Sequence, residues 1–427
     1  MNVDTQDLNI CSIVMKNDSY RAFVDSILSS WYKFIPASHE KYILPSNCWY
    51  TNSFRHVPQA VMDRMLSVVN YNHISKQFQQ SEAEQILEAV LNNKQTIKFE
   101  TITSKKQKRP GEVFCLPTVY LPGFPKCGTT TLYNLLMSHP HIEKPARKEG
   151  QFWGNFMIAS NKIYQDLLPL LYIHRFKEVA KRISKSTHHK LTIDGSTHTV
   201  YDSSRLGDAV SDMCMIPVLL HKVMPDTKII IMLRNPTSRL WSHYWFYCSR
   251  TKYSFGTNDR LPPVPDHVIN KASERFHNHT VAAISEFNNC IASGASEFKC
   301  TYNAFYDDDH HSLACGKSRI GVSLYYVHIM KWLSIFPREQ LLFLTMEELA
   351  ENPQAVVSEA WKFVGLDPLP RSSIPPIVSN TNKWIISDRY KDKFKMWPET
   401  QQLLDAFFHP FNQRLARLLN DQRFLWT

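Results

Sequence analysis

Several features are missing from this sequence, and each absence closes off a class of function. No CxxC pair occurs among its nine cysteines, which excludes the common paired-cysteine zinc sites. No run of about 18 apolar residues occurs, so no membrane span is visible. The opening stretch "MNVDTQDLNICSIVMKNDSY" lacks the apolar core of a signal peptide. None of the common nucleic-acid motifs stands out, and the one dense basic tract, "SKKQKR" at 104–109, reads as a solvated linker.

What is present is a chain of 427 residues, 43% hydrophobic and 21% charged, the balance of a globular protein. That length suits two or three domains, or one α/β domain with additions. The formal charge of +10 and the pI of about 9.0 point to a polyanionic partner: nucleic acid, acidic membrane or acidic polysaccharide. Cys290, Cys300 and Cys315 gather around a loop-like region, and Asn17–Asp18–Ser19 and Asn278–His279–Thr280 fit the N-glycosylation sequon. These features lean towards a secretory compartment. The N-terminus leaves two options, a cytosolic protein or a chain without its targeting segment.

Residues 1–115 show no repeat and no recognisable chemistry, apart from a capping box, Ser81 to Glu84, that predicts a helix over 81–93. From 116 onward the pattern becomes regular. "PTVYLPG" reads as a short strand and "TTTLYNLLMSHP" as a helix stopped near Pro140. "KLTIDGS" is a second strand, and "DAVSDMCMIPVLLHKVMP" contains a helix. "TKIIIMLRNP" is apolar and β-branched, as in a strand buried on both faces of a parallel sheet. "PTSRLWSHYWFYCS" and "GVSLYYVHIMKWLSIFP" are helices, and "QLLFLTMEEL" is a strand entering a helix. The C-terminal "ETQQLLDAFFHPFNQRLARLLND" predicts an amphipathic helix interrupted at Pro410. Alternating strands and helices argue for an α/β fold with a central parallel sheet flanked by helices. The expected division is an accessory or stem-like region over 1–115 and a catalytic domain over 116–427.

The stretch "LPGFPKCGTTTLYNLL" (121–136) has the glycine spacing of a Walker A loop, Gly123 to Gly128, followed by Thr129, Thr130 and Thr131. The lysine is displaced. Thr129 occupies the position directly after the second glycine, and the loop's lysine is Lys126. A strand, a glycine loop and a helix N-terminus still make an anion site from backbone N–H groups at Gly128 to Thr131, with Lys126 and Cys127 counted among the loop's binding residues. No Walker B aspartate follows the buried strand, which ends in Arg234. A cation there suits a second anionic group better than magnesium.

"PKCGTTTL" resembles the 5′-phosphosulfate loop of the sulfotransferases that use 3′-phosphoadenosine 5′-phosphosulfate (PAPS). "LRNPTSRLWSHYW" (233–245) resembles their 3′-phosphate motif, and "SRIGVSLYYVHIMKWLSIFPREQLLFLTMEEL" (318–349) resembles a third family segment. The resemblance implies a P-loop-like sulfotransferase fold and PAPS as donor, with no metal. Lys126 would lie by the bridging oxygen between phosphate and sulfate, where negative charge grows as the S–O bond breaks. Arg234, Ser242 and Arg319 would hold the 3′-phosphate. Arg239, in the same motif, reads as a structural ion pair.

"KPARKEGQFW" (144–153) resembles the K-E-x-H-F-[FW] segment of glycosaminoglycan sulfotransferases, whose glutamate is the general base. That maps the base to Glu149, beside Lys148, with Gln151 where the family often has His; His141 is a lesser candidate. "TIDGSTHTVYDS" (192–203) resembles a family segment flanking the active site. Asp194, Ser196 and Thr197 could line the sugar site or orient Lys126, and Arg147 and His198 could contact an anionic group on the acceptor.

The C-terminal "FFHPFNQRLARLLNDQRFLW", the loop and "DGSTHTVYD" look most like the N-acetylgalactosamine 4-sulfate 6-O-sulfotransferase branch. The implied acceptor is the 6-OH of a 4-sulfated GalNAc in chondroitin or dermatan sulfate. Heparan sulfate sulfotransferases share the loop and the Lys-Glu pair and form the close alternative. Animal members are anchored in the Golgi and face its lumen, so the expectation is a truncated or soluble lumenal form without its anchor. The resemblance also implies a disulfide in this region, expected between Cys300 and Cys315. A kinase would need the Walker lysine and magnesium. An inactive polysaccharide-binding protein would be expected to lose Lys126 or Glu149, and both are present.

Overall fold

A computed structural model describes residues 11, 18–32, 48–51, 112–150, 153, 172–173, 175–186, 188–201, 214–248, 271–303, 319–375 and 395–426. The helix expected over 81–93 and the predicted acceptor residue Gln151 lie outside these. The central element is a five-stranded parallel sheet in the order β4-β5-β3-β6-β7. Its strands are β3 (Val119–Gly123), β4 (Ile142–Glu143), β5 (Leu191–Asp194), β6 (Lys228–Leu233) and β7 (Leu341–Thr345). A separate antiparallel pair, β1 (Cys48–Thr51) with β2 (Glu112–Cys115), precedes it. The chain divides into two compact units. One comprises Met1–Val14, Gly123–Leu135 and Ile230–Thr427, and the other Met15–Pro122 and Leu136–Ile229.

In the second of these, β5 runs parallel to both β3 and β4, with Val119 opposite Ile193 and Ile142 opposite Leu191. Helix α1 (Asp18–Tyr32) buries Trp31, whose ring stacks on Trp153 at 5.1 Å, with Tyr172 edge-on to both. After β4 the chain forms α3 (Lys177–Ser184), which lays Val179, Ala180 and Ile183 against Cys115. Helix α4 (Met215–Val223) leads into β6.

In the other unit, Phe124 N–H donates to the Met232 carbonyl at 2.9 Å, tying the end of β3 to β6. Helix α2 (Thr129–Leu136) follows the loop after β3, and α5 (Pro236–Cys248) follows β6. Asn235 starts α5: its side-chain oxygen accepts from Ser238 N–H at 2.9 Å, and Pro236 takes the first position, where no N–H is needed. Helix α6 (Ala272–Ala292) turns at Gly294 into α7 (Glu297–Asn303), and a 3-10 turn at Ile320–Ser323 introduces α8 (Tyr325–Leu333). After β7 come α9 (Met346–Glu351), α10 (Pro353–Phe363) and α11 (Pro398–Leu419). The β7-to-α9 step is sealed by a capping box between Thr345 and Glu348.

Two sequence expectations need correction. The C-terminal helix runs unbroken through Pro410. Proline removes one backbone bond and crowds the preceding turn, at about 3 kcal/mol. Here Pro410 and Ala406, whose carbonyl loses its partner, are both exposed, so water can satisfy that carbonyl. Burial of Leu404, Phe408, Phe411 and Leu415 on the opposite face offsets the rest.

The expected Cys300–Cys315 bridge is also wrong. Cys300 pairs with Cys290, at an S–S distance of 2.07 Å and a Cα–Cα distance of 5.6 Å. Gly294, at φ +82°, reverses the chain between α6 and α7 and so brings the two thiols together. Sequence spacing could not reveal that reversal. Cys315 lies outside the described residues. We predict that Cys300→Ala lowers stability by about 2–3 kcal/mol through lost loop constraint, read as a reduced denaturation midpoint. Equal stability would show that the α6–α7 hairpin needs no covalent tie.

Candidate active site

The predicted site residues fall into two groups, one in each unit. The first is the phosphate side. Backbone φ is +70° at Lys126 and +80° at Gly128, so the loop between β3 and α2 turns left-handed twice. For a lysine this conformation costs of order 1–3 kcal/mol, and such strain is concentrated at functional sites. At Gly128 the same conformation disfavours any side chain. Helical bonding begins with Leu132 N–H to the Gly128 carbonyl at 3.1 Å, so the N–H groups of the preceding turn have no acceptor within the helix. Thr129 is buried, Thr131 half-buried and Thr130 exposed.

Hydrogen bonds lock this loop to the end of β6. Arg234 Nη1 donates to the Lys126 carbonyl at 3.2 Å. Tyr325 Oη donates to the Arg234 carbonyl at 2.9 Å and lies 3.5 Å from Cys127 Sγ. Burial pushes the Cys127 thiol up to about 11, so it remains a neutral, inert thiol and a packing residue beneath the loop. The Lys126 ammonium sits 4.2 Å from the centre of the Phe246 ring, on the same helix as Ser242.

Arg239, expected in a structural ion pair, is fully buried. Its Nε donates to Ser323 Oγ at 2.6 Å and its Nη2 to the Arg319 carbonyl at 3.3 Å. Ser323 Oγ in turn donates to the Pro236 carbonyl at 3.2 Å. The start of α5 and the 3-10 turn that carries Arg319 are thereby held together. Arg234, Ser242 and Arg319 are all half-buried, which leaves them part-open to a ligand. Sequence reasoning passed over Tyr325 and Phe246. Both lay inside or beside quoted motifs, but nothing in their spacing signalled a contact with the loop.

The second group is built on the segment after β4. Glu149 pairs with Lys148 at 2.8 Å, and the Lys148 and Glu149 side chains are 16% and 33% exposed, so the carboxylate remains reachable. The backbone around it is clamped. Gly195 N–H donates to the Lys148 carbonyl at 3.0 Å, Gly150 N–H to Ser196 Oγ at 3.0 Å, and Arg175 Nη1 to the Gly150 carbonyl at 3.0 Å. Asp194 supports this clamp from below. It is buried, and accepts from Ser196 Oγ at 2.5 Å, from Ser196 N–H at 3.0 Å and from Tyr172 Oη at 2.7 Å. Burial raises its pKa, and those hydrogen bonds partly oppose the rise.

Asp194 and Ser196 therefore hold the Glu149 segment in place, and Thr197 beside them is buried. Arg147 is exposed and His198 half-buried beside Tyr201, with ring centres 5.7 Å apart. His141 meets the His139 ring edge-on at 5.4 Å and stacks on His188 at 5.6 Å. Tyr172 and Arg175 were missed by sequence reasoning, because neither belongs to a recognisable motif.

Comparison with known proteins decides the family: residues 116–389 match the sulfotransferase domain. The chain belongs to the sulfotransferase family. It is 28% identical over 333 residues to carbohydrate sulfotransferase 15 of Mus musculus, covering 73% of this chain and 55% of that protein. It is 22% identical over 318 residues to the bifunctional heparan sulfate N-deacetylase/N-sulfotransferase 1 of Caenorhabditis briggsae, covering 72% of this chain and 30% of the relative. The chain thus spans about half the length of the mouse sulfotransferase. A sulfotransferase structure from Alicyclobacillus acidocaldarius aligns with a TM-score of 0.43 at 21% identity, covering 72% of this chain and 97% of that one. Among the described residues, no helix of this sulfotransferase is long and apolar enough to cross a membrane.

Proposed function

We propose that this sulfotransferase moves a sulfuryl group from PAPS to a hydroxyl of a glycosaminoglycan, the 6-OH of 4-sulfated GalNAc in chondroitin or dermatan sulfate. The observation that carries the reading is the hydrogen-bonded assembly of a strained loop, a displaced lysine and two part-open arginines. Its donor set fits a ligand with two separate anionic groups. The donor supplies the activated sulfuryl group at its 5′-phosphosulfate and carries a 3′-phosphate besides.

In this reading the N–H groups from Gly128 onward and the Thr129–Thr131 hydroxyls hold the 5′-phosphate, while Cys127, whose own N–H donates to the Phe124 carbonyl at 3.3 Å, shapes the loop beneath them. Lys126 neutralises the charge left on the bridging oxygen. Arg234, Ser242 and Arg319 grip the 3′-phosphate. Glu149 takes the proton from the acceptor hydroxyl, while Lys148 and Ser196 hold its segment in place. Arg147 and His198 contact the acceptor's anionic groups, and Gln151, outside the described residues, is assigned to the same role on its place in the motif alone. Asp194 acts through Ser196.

The acceptor assignment draws on carbohydrate sulfotransferase 15, the relative with the higher identity. A heparan sulfate acceptor is the second reading, motivated by the N-sulfotransferase match. The Cys290–Cys300 disulfide supports an oxidising compartment, the secretory pathway or Golgi lumen. We also take 116–427 as the catalytic domain and 1–115 as accessory, with the family match beginning at residue 116 in support.

The deciding experiment is radiolabelled transfer from PAPS onto desulfated and sulfated glycosaminoglycans, followed by disaccharide analysis. The expected product is a 4,6-disulfated GalNAc unit. Label in N-sulfated glucosamine would move the assignment to heparan sulfate. No transfer to any polymer, with donor still bound, would favour an inactive polysaccharide-binding protein.

Tyr325→Phe tests the phosphate side. It keeps the edge contact with Phe124, ring centres 4.7 Å apart, and removes the donor to Arg234. Losing one buried hydrogen bond of about 1 kcal/mol predicts roughly fivefold weaker binding of adenosine 3′,5′-bisphosphate by calorimetry. Unchanged affinity would show that the loop needs no tie to β6.

A further inference from the structure

We propose that the outer face of α3 and the lysines beside β4 form a docking surface for a sulfated stretch of polysaccharide beyond the sugar that reacts. This rests on the glycosaminoglycan reading above. At 100° per residue, Lys177, Lys181, Arg182 and Lys185 share an arc of roughly 140° on the side away from Val179, Ala180 and Ile183. Lys181, Arg182 and Lys185 are exposed. The carboxylates that α3 and β4 bring to this face are Glu178 and Glu143, and both are engaged. Glu178 accepts from Lys181 at 2.6 Å; Glu143 accepts from Arg182 at 2.7 Å and from Lys190 at 2.6 Å. Lys144, Lys177 and Lys185 add further positive charge, so cations exceed carboxylates.

The geometry fits a linear polyanion. Lys177, Lys181 and Lys185 are spaced along the helix over about 12 Å, so they can meet charges repeated along a polymer. A membrane surface would call for apolar side chains among the basic ones. The exposed large hydrophobics among the described residues are Val281, Ile291 and Trp397, none on this face. The surface also adjoins the acceptor segment. Arg182 Nη2 donates to the Lys144 carbonyl at 2.7 Å, at the start of the stretch that leads to Lys148 and Glu149.

The test reverses Lys181 and Lys185 together, Lys181→Glu with Lys185→Glu, leaving Arg182, Lys190 and Glu143 intact. On immobilised chondroitin sulfate the variant is expected to elute at lower salt. Its KM for the polymer should rise about 5–10-fold as complementary surface charge is lost. kcat, KM for a short oligosaccharide and binding of adenosine 3′,5′-bisphosphate should not change. A neutral pair, Lys181→Gln with Lys185→Gln, should fall between and guards against misfolding of the first variant. Unchanged elution and polymer KM would overturn the proposal. So would equal losses on polymer and short oligosaccharide, or binding to phosphatidylserine vesicles that falls while polymer binding does not. If the wild type sulfates no glycosaminoglycan, the function reading fails, yet salt elution still decides whether this face binds the polymer.

Discussion

Lys126→Ala is expected to lower kcat by about 10²–10³, the cost of removing one preorganised charge-stabilising donor. The reasoning starts with the loop. Lys126 holds a left-handed backbone at φ +70°, and its carbonyl is fixed by Arg234. A side chain placed at such a conformational cost is aimed at a defined point. Phe246 lies under the ammonium at 4.2 Å and limits its wandering. Alanine keeps the loop N–H groups, Arg234 and Arg319, so binding of adenosine 3′,5′-bisphosphate should fall far less than turnover. That split between kcat and affinity is the diagnostic. Near-normal turnover would sink the leaving-group role. Parallel loss of turnover and nucleotide affinity would instead make Lys126 a binding residue.

Glu149→Gln should nearly abolish transfer while leaving donor binding intact, a loss of about 10²–10⁴ for removal of a general base. Glutamine preserves shape and can keep a hydrogen bond to Lys148, and the clamp formed by Gly195, Ser196 and Arg175 acts on the backbone. The substitution therefore tests proton acceptance with little disturbance of position. Asp194→Asn provides the contrast. Asp194 touches Ser196 and Tyr172, so its loss should lower stability together with activity. Retention of most activity in Glu149→Gln would exclude it as the base and turn attention to His141.

The loop, the arginine at the strand end and the Lys-Glu pair could be read from sequence because each is local. A strand, a glycine turn and a helix start lie within a few residues, and the order of residue types dictates which backbone donors point at an anion. The alternation of strand and helix was legible for the same reason, since hydrophobic period depends on near neighbours. Tertiary structure alone decided the rest. Tyr325 reaches Cys127 and Arg234 across a long separation in the chain. Arg239 joins α5 to the turn bearing Arg319, and Tyr172 and Asp194 meet beneath the Glu149 segment. Cys300 took Cys290 as partner because one glycine reversed a helix, and Pro410 stayed helical because its neighbours on the buried face outweighed one lost bond. Short-range chemistry is encoded in residue order, whereas the choice of partner for a buried polar group depends on which distant segments the packed core brings within hydrogen-bond reach.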